Sequence, residues 1–211
     1  MESTLAIMGI GFLLGIKHAL EPDHVIAVST ITNKHRSLRQ SGFLGVFWGV
    51  GHTLTLMAVF LLLFFTKGSI SAKWELSFEL IVGIMLIILG FTAYRKRKNT
   101  DISLMSNSNK QFFLKSMAIG QVHGLAGSAA MTLLALSMAS SLNGALIYIG
   151  IFGVGTVLGM LLFTLFLSIP FILAKGASKV NYALTIATSI LSVGYGAFYI
   201  YRIIFQEGLF S

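Results

Sequence analysis

Gly15-Ile16-Lys17-His18-Ala19-Leu20-Glu21-Pro22-Asp23-His24 sets one cation, two carboxylates, two imidazoles and a proline inside a stretch that otherwise reads as a first membrane span. A charged side chain at mid-bilayer costs on the order of 2.5–3.5 kcal/mol even on lenient insertion scales. Lys17, Glu21 and Asp23 together cost roughly 8–10 kcal/mol unless partners, water or a ligand meet them. Pro22 removes an amide donor and disfavours helical geometry at Glu21, so the sequence predicts a break or kink there. On an unbroken helix, His18 and His24 would be turned about 240° from one another. Unwinding around Glu21-Pro22 lets His18, Asp23 and His24 converge, and discontinuous spans of this kind are where transporters hold ions near the midplane.

The surrounding chain supports a membrane setting. Of 211 residues, 55% are hydrophobic and only 10% charged, too few charges to keep a soluble domain dispersed. The net charge of +8 points away from nucleic acid, because the basic residues lie between apolar stretches and read as topology signals. Cysteine is absent, which excludes disulfides, thiol relays and thiolate metal sites. The N-terminus lacks a basic n-region and a small-residue cleavage site, so no cleaved signal peptide is expected.

The apolar stretches predict six helices, roughly 4–30, 41–66, 76–95, 113–139, 144–174 and 180–204. The last pair of breaks includes a turn signal, Ser140-Ser141-Leu142-Asn143-Gly144. The side reached after helices 1, 3 and 5 carries Lys34, Arg36, Arg39, Arg95, Lys96, Arg97, Lys98, Lys110, Lys115, Lys175 and Lys179. The other side carries Lys67, Lys73 and Arg202, which puts the first side in the cytoplasm and both termini outside. The expected chain is thus a multi-pass protein of the cytoplasmic membrane. It forms a single membrane domain, with residues 1–98 and 113–211 as two units joined by a flexible cytoplasmic linker over 99–112.

The two units echo one another. Trp48-Gly49-Val50-Gly51-His52-Thr53 returns as Phe152-Gly153-Val154-Gly155-Thr156 at an offset of 104. His18-Ala19-Leu20 returns as His123-Gly124-Leu125 at 105, and Gly90-Phe91-Thr92-Ala93-Tyr94 as Gly194-Tyr195-Gly196-Ala197-Phe198 at 104. A three-helix unit crosses an odd number of times, so its copy is inverted. The expected fold is therefore an all-α integral membrane protein of six transmembrane helices in two inverted three-helix repeats. The copy keeps a histidine at His123 but replaces Glu21, Asp23 and His24 with Ala126, Ser128 and Ala129, and His52 with Thr156. The chemistry is accordingly expected in helices 1 and 2, with helices 4 and 5 as a counter-surface.

Two further histidines sit within spans. His52 follows two glycines that allow close helix approach, and Thr53 beside it offers a hydroxyl. His123 is likewise flanked by glycines. Imidazole with carboxylate and no cysteine suits nickel, cobalt, zinc or manganese and argues against copper(I). Each histidine also has a plainer role open to it, a hydrogen bond to a neighbouring helix. Glu21 fits a ligand, an orienting partner for a histidine, or a helix start, with the orienting role favoured. Lys17 fits either an outward snorkel or a neutralising partner for the acids. Glu75 and Glu79 read as interfacial.

His18-Ala19-Leu20-Glu21-Pro22-Asp23-His24 resembles the signature of the nickel/cobalt transporter (NiCoT) family, and the glycine-flanked His52-Thr53 resembles that family's second-helix motif. With six helices and His123-Gly124-Leu125-Ala126-Gly127-Ser128 opening its second half, the chain is most similar to the short UreH-like branch. The family signature usually has Asp where this chain has Glu21. The resemblance implies a permease, not an enzyme, that imports nickel(II), or cobalt(II), as a transiently bound substrate. No prosthetic group and no nucleic acid are implied, and the lipid bilayer is the other partner expected. The implied metal site is His18, Asp23 and His24, with His52, His123 and Glu21 around them. It also implies a fold shared with LysE-type exporters and DsbD-related electron carriers, the latter role barred by the missing cysteines. An exporter of the same fold, a metal-dependent membrane enzyme and a metal-independent structural subunit are the competing readings. The enzyme would need a second cluster to supply a nucleophile or base, and the sequence offers none.

Overall fold

A computed structural model describes residues 2–32, 37–66, 71–98, 109–127, 134–135 and 141–210. The loop of Lys34, His35 and Arg36, residues 99–108 of the expected linker, and Ser128 and Ala129 lie outside the described residues. The first expected span is two helices, α1 (Glu2–His18) and α2 (Pro22–Thr32). The Leu20 amide donates to the Lys17 carbonyl and the Glu21 amide to the His18 carbonyl, each at 3.0 Å. These two tight bonds close α1, and the Val25 amide then opens α2 by donating to Glu21 O at 3.0 Å. Pro22 stands at the first position of α2, where its missing N–H forfeits no helical bond. The predicted break is therefore a single turn whose Leu20 and Glu21 amides are satisfied, as burial in a membrane demands of its donors.

There follow α3 (Leu38–Thr66), α4 (Ala72–Lys98), α5 (Asn109–Leu125), α6 (Leu142–Leu173) and α7 (Ser178–Tyr201), the last extended by a wide turn over Arg202–Gln206. At the expected turn before α6, the Ser141 hydroxyl accepts from the Gly144 amide at 3.2 Å and caps the helix. The uninterrupted helix expected over 113–139 is corrected. α5 stops at Leu125, because Gly127 adopts φ +72°, the left-handed geometry that ends helices and that glycine alone enters without strain.

Leu38–Thr66, Ala72–Arg95, Leu142–Leu173 and Ser178–Gln206 are long and apolar enough to cross a membrane, and α1 adds a shorter apolar piece over Ile7–His18. Their outward faces are as apolar as their inward ones. Leu62, Phe65, Val154, Phe166, Leu173 and Ile190 are all 61–80% exposed. Water would not tolerate so continuous an apolar exterior, so the chain is a membrane protein.

The helices meet at glycines, with backbone against backbone. Along α3 and α6, a Cβ at Gly45 would strike the Met160 carbonyl, one at Gly49 the Val157 backbone and one at Gly153 the Thr53 side chain. Rising numbers on α3 meet falling numbers on α6, so this pair is antiparallel. α4 and α7 are antiparallel as well, through Gly83 with Gly196 and Gly90 with Ser189, and the Ser192 hydroxyl donates to Leu86 O at 2.7 Å. The other two close pairs are parallel. Along α1 and α6 the numbers rise together, Gly11 facing the Tyr148 ring, Gly15 the Phe152 carbonyl and Gly159 the Ala19 side chain, and Gly155 also faces the Phe12 carbonyl. Along α3 and α5 the Ser116 hydroxyl donates to Leu44 O, Gly120 faces the Trp48 carbonyl and Gly124 the His52 carbonyl, and Gly51 also faces the Met117 carbonyl. α2 packs against α4, α6 and α7.

These contacts predict a sharp contrast among glycines. Gly120→Ala forces a methyl onto the Trp48 carbonyl and should cost about 1–3 kcal/mol or more through overpacking. Gly194→Ala, whose Cβ meets nothing within 4 Å, should leave stability unchanged or raise it by up to about 1 kcal/mol. Thermal unfolding of the two variants in one detergent checks this, and equal melting temperatures would refute the packing described.

Candidate metal centre

The turn between α1 and α2 brings His18, at the end of α1, beside His24 in the first turn of α2. α3 supplies His52 and α5 supplies His123. His24, His52 and His123 are buried, and His18 and Asp23 nearly so, whereas Glu21 is half exposed. Ring centroids lie 4.8 Å apart for His18 and His24, 4.9 Å for His18 and His52, 5.1 Å for His24 and His52, and 4.0 Å for His24 and His123. The break brings His18 and His24 together, and Asp23 groups with His24 and His123. Phe152 stands 5.5 Å from His18 and Trp48 stands 5.7 Å from His123, both buried, so two aromatic rings wall the group.

The carboxylates fix how the imidazoles present their nitrogens. A carboxylate only accepts, so the ring nitrogen facing it carries the proton. His18 Nδ1 donates to Glu21 Oε1 at 3.0 Å, which leaves the lone pair on His18 Nε2. His24 Nδ1 lies 3.3 Å from Asp23 Oδ1, and His123 Nε2 donates to Asp23 Oδ2 at 2.7 Å. The His24 backbone amide also donates to Asp23 Oδ1, at 3.0 Å. Asp23 thus spends both oxygens on histidines from the two halves of the chain, and Glu21 accepts from His18.

What remains is a set of lone pairs with no protein partner. Among the described residues, His24 Nε2, His52 Nδ1 and His123 Nδ1 are buried without a hydrogen bond. Each such atom costs about 1–3 kcal/mol, which a cation would offset by accepting the lone pair. His18 Nε2 accepts from His52 Nε2 at 3.0 Å, which leaves the His52 lone pair on Nδ1. Neutral imidazole nitrogens bind zinc, a comparable ion, at about 2.0–2.1 Å. The donor set therefore fits a first-row divalent cation.

Several other expectations change. Thr53 donates its hydroxyl to the Gly49 carbonyl at 2.8 Å and turns its methyl to Gly153, so its proton is held by its own helix. Thr156, the counterpart of His52, likewise donates to Phe152 O at 3.0 Å. Lys17 is exposed, and Glu21 pairs with His18 instead of with it. The second half is more than a counter-surface, since His123 reaches Asp23 directly. Sequence reading also missed that Arg202, taken as a loop charge, lies 2.9 Å from Glu207 and 3.6 Å from Glu79. Only the matching of Glu79 by a basic residue near the other end of the chain could have hinted at it.

No family model and no solved structure matches the chain. It is 30% identical over 210 residues to the chloroplast protein FOR GROWTH AND FERTILITY 1, and 28% over 204 residues to FOR GROWTH AND FERTILITY 2, both of Arabidopsis thaliana. Each alignment covers 88% of this chain, which spans little more than half of either plant protein, at 56% and 54%. It is 42% identical over 218 residues to the urease accessory protein UreH of Bacillus sp. (strain TB-90), across 98% of this chain and 96% of that protein. With that identity sustained along nearly the whole of both proteins, the chain belongs to the UreH family.

Proposed function

We propose that the chain is a secondary-type permease of the nickel/cobalt transporter kind, importing nickel(II), and cobalt(II) second, across the cytoplasmic membrane. The observation that carries this reading is the convergence of four imidazoles and Asp23 at a helix break, walled by buried aromatics within an apolar bundle. Buried lone pairs oriented by carboxylates suit a divalent ion stripped of most of its water, and the two acids offset its charge. The name of the Bacillus relative, a urease accessory protein, supports a role in nickel handling.

The inverted repeat belongs to the same proposal, with both termini outside and the two halves moving against one another around the ion. The glycine contacts support it residue by residue. Adding 105 to Gly15 gives Gly120, and subtracting 104 from Phe152 gives Trp48, so the Gly15–Phe152 contact maps onto Gly120–Trp48. By the same offsets Gly155–Phe12 maps onto Gly51–Met117, and Gly49–Val157 onto Gly153–Thr53. The two close pairs α1–α6 and α5–α3 are then one contact made twice. The aromatic walls, Phe152 on His18 and Trp48 on His123, exchange in the same way.

Radioactive nickel uptake into cells, with unlabelled cobalt, zinc and manganese as competitors, tests the proposal. His18→Ala, Asp23→Asn and His24→Ala should each nearly abolish uptake at matched membrane abundance, and His52→Ala should lower it by at least about tenfold. Thr156→Ala should be mild, because its hydroxyl is bonded to its own helix. No nickel accumulation by the wild type, or net loss of nickel from preloaded cells, would defeat the import reading. Pro22→Ala should insert normally yet transport poorly, since α1 and α2 then lose the residue that keeps them apart. Wild-type uptake by that variant would make the proline incidental.

A further inference from the structure

We propose that the metal centre is two overlapping stations rather than one ligand shell, with His24 as the ligand common to both. The inference rests on the nickel reading above. An ion bound at about 2.0–2.1 Å keeps its ligand atoms within roughly 4.2 Å of one another. The side chains sort into two trios, His18, His24 and His52, and Asp23, His24 and His123, the ligand atoms of each lying within 4.8 Å. The rings of His52 and His123, at the two ends, are 6.5 Å apart between centroids, while His24 lies 5.1 Å from the first and 4.0 Å from the second. Two imidazoles on one tetrahedral ion hold their centroids roughly 5 Å apart, so in this arrangement His52 and His123 stand too far apart to share one. An ion serves either trio with small rotations of the side chains.

The trios also differ in origin and charge. The first is built by α1, α2 and α3, all before the linker, from three imidazoles, with Glu21 acting on the ion only through His18. The second joins α2 to α5 and offers a carboxylate oxygen directly. In the structure that oxygen, Asp23 Oδ2, is bonded to His123 Nε2 at 2.7 Å. For an ion to occupy the second station, this hydrogen bond opens and the His123 ring turns to bring the lone pair on Nδ1 beside Asp23 Oδ2, the proton staying on Nε2, so that Asp23 and His123 both donate to the ion. His24 stays attached throughout, so the ion crosses without being released. The cost of the lost hydrogen bond is offset by a direct carboxylate–cation contact in a low-dielectric site. Each station has few ligands, which keeps the ion from being trapped.

The stations separate by comparing nickel binding with nickel movement in purified full-length protein. Binding is measured by titration calorimetry with Ni2+ alone, and movement by uptake into proteoliposomes. His52→Ala should weaken binding by at least about tenfold. His123→Ala should keep affinity within about threefold of wild type, while uptake falls by at least about tenfold. His24→Ala should lose both. His123→Gln, which retains an amide donor towards Asp23 but no imidazole, carries the same expectation as His123→Ala. It stands in for that variant should the alanine protein unfold. Binding weakened equally by His52→Ala and His123→Gln would mean a single shell and overturn the two stations while leaving nickel transport intact. Wild-type uptake by His123→Gln would overturn the second station. A wild-type protein that neither binds nor moves nickel would overturn the nickel reading itself.

Discussion

A carboxylate inside an apolar bundle persists only if both of its oxygens find donors, and Asp23 finds them in His24 and His123. That requirement organises the centre of the molecule. His24 is its neighbour on α2 and comes with the helix start. His123 comes from α5, a hundred residues away in sequence, and reaches Asp23 only because α5 lies against α3 along Gly120 and Gly124. Removing one donor would leave a buried charge underpaired, which is far more costly than the single hydrogen bond suggests.

The same need for satisfaction explains why the breaks fall where they do. Between α1 and α2 the backbone closes with two short-range bonds and hands over to a proline that has no amide to lose. At Gly127 the chain turns through a left-handed residue. Both interruptions come within four residues of a histidine that enters the centre, His18 in one case and His123 in the other. A helix end frees the following chain to leave the bundle axis, which a continuous span denies it.

Much of this was readable from local chemistry. The first break was legible because Pro22 acts through its own ring and its neighbour's backbone, with no distant partner needed. His18, Asp23 and His24 were legible because ionisable groups in an apolar run demand an explanation. The α6 cap was legible in Ser141 and Gly144. The second interruption was hidden, because glycine is common in membrane helices as a packing residue and Gly127 looks no different from Gly120 in sequence. Only its positive φ distinguishes them. Thr53 misled for a related reason. A hydroxyl in a helix has its own chain's carbonyl within reach, and whether it turns there is decided by the space Gly153 leaves for its methyl. The pairing of Arg202 with Glu79 and Glu207 is a long-range meeting that no local pattern encodes.

The lengths of the central helices carry a consequence for the bilayer. α3 has 29 residues and α6 has 32, so they run about 43 Å and about 48 Å at the usual rise per residue. A hydrocarbon layer is about 30 Å thick. Helices that outrun it either tilt or carry their ends into the headgroups, and this pair cannot tilt independently, being locked together through Gly45, Gly49 and Gly153. Acyl-chain length therefore acts on α3 and α6 as one rigid lever. His52 rides on that lever, while His24 sits on the short α2, which is held jointly by α6 and by the separate α4–α7 pair. Membrane thickness is in this way coupled to the spacing of the imidazoles at the centre.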